Sequence, residues 1–498
     1  MDSDKIRELV KQTVSEVKQG YLIVRAQMRK EISLKFSNGQ IENLYTDTES
    51  GMGVQAFTPQ GASGFASANV LALERAKELA RMALELASKN QSIDCELNTE
   101  IFSVSPTVAE VPSSAKYPFE HFSPEELQQI VSSIHNKLLN IKLETGSVAW
   151  QTVYRQIEDF WCIGRSDGTL VSFTVPRTVL LHQGTVKDAG YGQSFTVTRS
   201  GVDGEILLAE QADGSLHLQA EDKARFIQRV CKAPQIPSGS YPLVIDYGLA
   251  KGLAHEAFGH AVESDLLEES VLGFEGKLRI GAVISKPGVD IIDGPLERDW
   301  AYQPYSANGQ IRKTVAIVKD GVLKQGLGDI FSAAKAGVEI TDAARAEYFG
   351  VVPLPRMTNI RLIVQDNIPL NNTNNLNQVI KSIREALLSR RMLEKDYHFL
   401  LLGYCGGQVN SKTGDFVFQC EGAVNLADPE LTVYQAGIFS GKILAVLEAV
   451  KCSLGTPRYD AIGTCGKAGQ MVPSSGGGSG YIMLDKNQNI KIGGRTND

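Results

Sequence analysis

The segment His255-Glu256-Ala257-Phe258-Gly259-His260 brackets a carboxylate with two imidazoles, in a chain that has seven histidines among 498 residues. Neutral imidazole nitrogen is a good zinc ligand, and a carboxylate beside an activated water can take its proton. The chemistry on offer is metal-assisted hydrolysis, with Glu256 as the base. The alternative is a pair of solvent-facing histidines on an ordinary helix. Glu263, eight positions after His255, is a candidate to support the ligands or to join them, and Asp265 is a weaker one.

The spacing carries a structural demand. Zincin helices separate their histidines by four residues, which stacks the rings on one face. A separation of five amounts to about 140° round a regular helix, so the rings would diverge. The motif therefore requires an irregular helix. Gly259, directly before His260, is expected to permit it, because glycine tolerates conformations that other residues resist.

A catalytic zinc takes three protein ligands and keeps one position open. His121, His135, His182, His217 and His398 are isolated in sequence and read as ordinary surface or core residues. Cys465 is a candidate third ligand. It lies in Gly463-Thr464-Cys465-Gly466, where bare glycines would let a loop bring a thiolate against another segment. A plain loop thiol is the alternative. The seven cysteines (95, 162, 231, 405, 420, 452, 465) contain no Cys-x-x-Cys pair, which fits reduced thiols in a cytoplasmic protein.

The elements that must position these residues read as α+β, in a multidomain chain with antiparallel and mixed sheets and the metal site on a distorted helix of the last domain. Residues 1–90 form an N-terminal α+β domain: an amphipathic helix over 3–19, then strands turning at Asn38-Gly39, then a helix near 71–88. Residues 91–122, with Pro106, Pro112 and Pro118, read as a linker. Residues 123–232 form a middle α+β domain whose first helix opens at Ser123-Pro124-Glu125-Glu126, a capping-box pattern. The last domain, 236–498, holds a strand to Asp246, a helix over 248–265 with the opening motif, a helix near 376–389 and another near 439–451. It ends in glycine-rich sequence around Cys465 and Ser474–Gly480.

Composition narrows the partners. An apolar fraction of 43%, a charged fraction of 21% and a net charge of −7 describe a soluble globular protein. They argue against a nucleic-acid or anionic-membrane partner. No run of 18 apolar residues is present, and Met1-Asp2-Ser3-Asp4-Lys5 is not a signal peptide.

Taken in order, His255–Glu263, Pro355-Arg356-Met357-Thr358-Asn359, Gly406-Gly407-Gln408-Val409, Phe416-Val417-Phe418 and Gly463-Thr464-Cys465-Gly466-Lys467 with Gly469-Gln470 resemble the TldD/PmbA family of metalloproteases, in its catalytic TldD branch. Gly51-x-Gly53-Val54-x-Ala56 and Gly64-Phe65-Ala66 resemble the family's first domain. The resemblance implies a zinc peptidase in which His255, His260 and Cys465 hold Zn2+ and Glu256 is the general base. It implies unfolded or small peptides as substrates, added as a strand to a sheet edge, and a homodimer or a heterodimer with a non-catalytic sister subunit. Arg356 is a candidate contact for a substrate carboxylate or carbonyl, or a structural partner of a nearby carboxylate. A non-hydrolytic peptide-binding or scaffold subunit with a structural zinc is the rival reading. Two segments depart from the family pattern: Ser306-Ala307-Asn308-Gly309 stands where bacterial TldD proteins carry Asp-Asp-x-Gly, and Ala344-Arg345-Ala346-Glu347 where they carry a double arginine.

Overall fold

The computed structural model describes residues 2–16, 20–93, 97–371, 375–435 and 437–494. The first helix is Ser3–Glu16; residues 17–19 of its expected span, and Cys95, lie outside the described residues. Tyr21–Ser37 and Gln40–Phe57 form a long hairpin. Asn38 and Gly39 close it with φ of 47° and 89°, the left-handed pair that a two-residue hairpin turn demands. Ile32, Leu34 and Phe36 alternate into the core, as their spacing predicts. Ser123 and Glu126 complete the expected capping box on the helix Pro124–Leu138.

Ser147–Arg165 pairs antiparallel with Tyr21–Ser37, from Ile23 opposite Arg165 to Ser37 opposite Gln151. Segments 1–90 and 123–232, read separately from the sequence, thus share a single seven-stranded sheet. Local patterning marks each strand but not its partner a hundred residues away. The stretch expected as a linker supplies the strand Val108–Val111, parallel to Leu170–Phe173. Pro106 and Pro112 flank it without interrupting it, as proline may only at the ends or edges of sheets.

From residue 243 onward the chain builds two larger sheets. In a nine-stranded mixed sheet, Leu243–Asp246 lies between Tyr481–Leu484 and Phe399–Asn410. A six-stranded sheet has the order Val322–Leu323, Val315–Lys319, Val289–Gly294, Asn359–Val364, Gln470–Gly478 and Gly463–Lys467, the last at its edge. The helix that begins at Tyr247 touches strands of both sheets. Its Leu249, Leu253, Ala254, Ala257, Phe258, Ala261 and Val262 are buried in the largest apolar core.

Two expectations in this region are corrected. The glycine-rich sequence around Cys465 is not a loop: Gly463–Lys467 and Gln470–Gly478 form a hairpin turning at Ala468-Gly469. The glycines serve close approach, since a Cβ on Gly476 or Gly478 would fall 1.9 Å from the Ile360 carbonyl oxygen or 1.8 Å from that of Leu362. The helix expected near 439–451 is a strand, Gly437–Lys442, followed by the shorter helix Ile443–Ala449. The architecture is α+β with antiparallel and mixed sheets, as expected. Among the described residues no helix is long and apolar enough to cross a membrane.

Candidate metal centre

The irregular helix that the histidine spacing demands is present. Tyr247–Gly252 is α-helical, Leu253–Gly259 is a π-helix, and His260–Val262 is a 3-10 turn. A π turn closes with a bond from residue i+5 back to i. Here the His260 N–H donates to the His255 carbonyl. One wide turn therefore puts residues five apart on the same face, and the two rings stand edge to face with centroids 5.2 Å apart.

Gly259 does not act through its backbone freedom, as expected from sequence. Its φ of −62° and ψ of −58° are ordinary helical values. Instead, a Cβ there would lie 1.7 Å from the Met357 sulfur. The glycine is needed for packing, so that the wide turn can press against the strand lead-in at Met357.

Cys465 reaches the same place from the other side. Its sulfur is 3.5 Å from His260 Nε2, and ligand atoms of His255, His260 and Cys465 all lie within 4.8 Å of one another. Among the described residues this is the one group of three or more His, Cys, Asp or Glu side chains placed to share a cation. His255 and Cys465 are each 1% exposed, and His255 Nδ1 is buried with no hydrogen-bond partner. Burial, then Lys251 and His260, hold the His255 pKa well below its ordinary value, so the ring stays neutral as a ligand must. For His260 burial acts the same way but is outweighed by Glu263 and Cys465, which hold its pKa well above the ordinary value. A divalent cation here would lie beside the same two groups. Two nitrogens and a sulfur are a zinc donor set, and three protein ligands leave a tetrahedral ion one open position. The residues fit the metal.

Glu263 is fully buried behind the cluster. Its Oε2 accepts from His260 Nδ1 at 2.9 Å and from Lys467 Nζ at 2.9 Å. Burial alone would raise this carboxyl, but His260 and Lys467 hold it below the usual range. Asp265 accepts from the same Lys467 ammonium at 2.6 Å. Lys467 was legible only as a motif residue without a role, because its partners are some two hundred residues away.

Arg356 is fully buried against the hairpin. It donates to the carbonyl of Cys465 and, at 3.5 Å, to that of Gln470. Both of these partners are backbone carbonyls of the hairpin, where the sequence offered a substrate group or a nearby carboxylate. The rest of the Pro355–Asn359 motif acts similarly, with Met357 against Gly259 and the Asn359 amide donating to Ser475 Oγ at 3.0 Å. Both segments that depart from the family pattern are also internal braces. Arg345 donates to the carbonyls of Met357 and Pro473, each at 2.6 Å. Asn308 accepts from Arg25, which lies in the first sheet, at 2.7 Å.

Glu256 is half-buried, on the turn between the two histidines. Its charge acts on Lys251 and on Tyr404, whose ring packs against Gly252. Neither Lys251 nor Tyr404 stood out in the sequence. Lys251 carries a signal in retrospect, standing four residues before His255.

The fold and cluster define an α+β protein with a buried two-histidine, one-cysteine centre suited to a metal ion. A family model described as "PmbA/TldA metallopeptidase C-terminal domain" matches residues 238–486, and "PmbA/TldA metallopeptidase domain 1" matches residues 23–87. The chain belongs to the PmbA/TldA metallopeptidase family. It is 27% identical over 476 residues, 95% of each chain, to a protein of Methanothermobacter thermautotrophicus named "Metalloprotease". It is 26% identical over 260 residues, 52% of each chain, to a "Zinc metalloprotease TldD homolog" of Saccharolobus solfataricus. The crystal structure of TldE from Thermococcus kodakarensis has the same fold, with a TM-score of 0.72 at 14% identity over 98% of this chain and 100% of that one.

Proposed function

We propose that the protein is a zinc-dependent peptidase that hydrolyses peptide bonds in unfolded or small peptides, as a homodimer or with a non-catalytic sister subunit. The observation that carries this reading is the convergence of His255, His260 and Cys465 within 4.8 Å, with Glu256 on the connecting turn. Zinc held by these three residues would supply Lewis acidity, enough to lower the pKa of water and to polarise a carbonyl.

The remaining work falls to the chain. Glu256 takes a proton from the attacking water and passes it to the leaving amine. Glu263, through Nδ1 of His260, holds that ring with its Nε2 towards Cys465. The edge strand Gly463–Lys467 gives an extended peptide a place to pair beside Cys465, so that backbone hydrogen bonds rather than side-chain pockets align the scissile bond.

The test is metal content measured beside digestion of an unstructured peptide by the purified protein, with and without chelator. Zinc at one per chain and chelator-sensitive cleavage are expected. Glu256→Gln should keep its zinc and lose cleavage, and Cys465→Ser should lose zinc on dialysis. Cleavage by a zinc-loaded Glu256→Gln variant would overturn the assignment of the base. Bound zinc with no hydrolysis would favour a peptide-binding subunit with a structural metal.

A further inference from the structure

Lys251 lies on the histidine helix, four residues before His255, and is only 8% exposed. A lysine head group carries three donors. The hydrogen bond found for it goes to Ser474 Oγ at 3.4 Å, a long contact to a neutral acceptor. Gly463, on the edge strand that carries Cys465, passes over it so closely that a Cβ there would lie 3.0 Å from Nζ. Burial holds the pKa of this amine below its ordinary value, and the charges of Glu256 and Cys465 only partly oppose that. The amine thus lies under the edge strand, between Gly463 and Ser474 of the hairpin that carries Cys465.

Burying an ammonium with so little hydrogen bonding is costly and is not repaid by one weak contact. A hydrolytic site offers a further use for it. When water attacks a peptide carbonyl, negative charge moves onto the carbonyl oxygen, and a positive donor already aimed there stabilises the transition state without reorganisation.

We propose that Lys251 is a further catalytic residue of this site, its ammonium donating to the scissile carbonyl oxygen as that oxygen becomes negative. The proposal rests on the peptidase reading above. In the step it serves, the water oxygen bonds to the carbonyl carbon, the water proton goes to Glu256, and the carbonyl π pair moves to the oxygen that Lys251 faces. The pair then returns as the C–N bond breaks, and Glu256 delivers its proton to the leaving nitrogen. Lys251 transfers no proton and supplies charge throughout.

The zinc-loaded full-length protein tests this with three variants. Lys251→Met should lower kcat on an unstructured peptide about 100-fold, as loss of an oxyanion donor does, with KM nearly unchanged. Lys251→Arg, which keeps the charge, should recover part of that rate. Ser474→Ala, which removes the hydroxyl partner alone, should leave kcat near wild type. Zinc affinity, measured by chelator competition, gives a readout independent of turnover. Removing a nearby positive charge should tighten zinc by about tenfold, whereas removing a mere tether between helix and hairpin should loosen it. Unchanged kcat in Lys251→Met, looser zinc in that variant, or an equal loss in Ser474→Ala would each overturn the proposal. A wild-type holoenzyme that cleaves nothing overturns the peptidase reading as well. An active wild type matched by Lys251→Met overturns this inference alone.

Discussion

Nδ1 of His260 and Oε2 of Glu263 lie 2.9 Å apart, which settles how the second histidine faces the cluster. With Nδ1–H donated to the carboxylate, Nε2 is the nitrogen turned to Cys465. Partners of this kind raise ligand basicity and fix ring orientation, and their loss costs roughly 10–100-fold in metal affinity. Glu263→Gln should therefore release zinc to a competing chelator about tenfold more readily while the fold persists. Equal retention in wild type and variant would show that Glu263 serves Lys467 alone.

Arg356 is expected to behave as a stabiliser of the hairpin. Arg356→Ala strips donors from two carbonyls, those of Cys465 and Gln470. The predicted loss is about 2–4 kcal/mol in denaturant unfolding, accompanied by weaker zinc retention. If the variant were as stable as wild type and raised KM selectively for peptides with a free carboxylate, substrate binding would be its role after all.

Gly259→Ala would drive a methyl into the Met357 sulfur. Overpacking of this kind costs about 1–3 kcal/mol. The double variant Gly259→Ala/Met357→Ala should recover part of the stability and of the zinc content, because the clash is then gone. No recovery would mean that the glycine is required for its backbone, which its φ and ψ argue against.

The middle segment should set an acid limit on stability. His182 is fully buried beside Thr152, and burial, then the neighbours His135 and His217, push its pKa down to about 3. The unfolded chain binds this proton near the ordinary histidine pKa of about 6.5, and the folded chain does so only near the lowered value. The contribution is thus complete above about pH 6.5 and is lost as pH falls towards 3, by about 5 kcal/mol in all. Denaturant midpoints at successive pH values should decline through that window, and His182→Gln should flatten the decline. A parallel decline in the variant would place the titrating group elsewhere.

Much of this molecule is written locally. Asn38-Gly39 and Ser123 with Glu126 state their turn and cap by residue type, and the structure repeats them. Residues 439–451 are only partly legible, because a short continuous apolar run does not by its periodicity say where a strand ends and a helix begins. The shared first sheet and the Arg356 contacts were not legible, since a strand edge or a guanidinium has no marker for which distant backbone it will meet.

At the candidate metal centre the division is clear. Sequence alone determined the donor types, the candidacy of Cys465 and the need for an irregular helix, because ligand chemistry and helical period are properties of residues and their spacing. Tertiary structure decided that the irregularity is a π turn, that Gly259 is there for Met357, and that Cys465 arrives on a strand rather than a loop. It also brought Glu263, Lys467 and Lys251 to the cluster. Those outcomes depend on how the helix and the two sheets pack together, and packing is a relation between segments that no single segment contains.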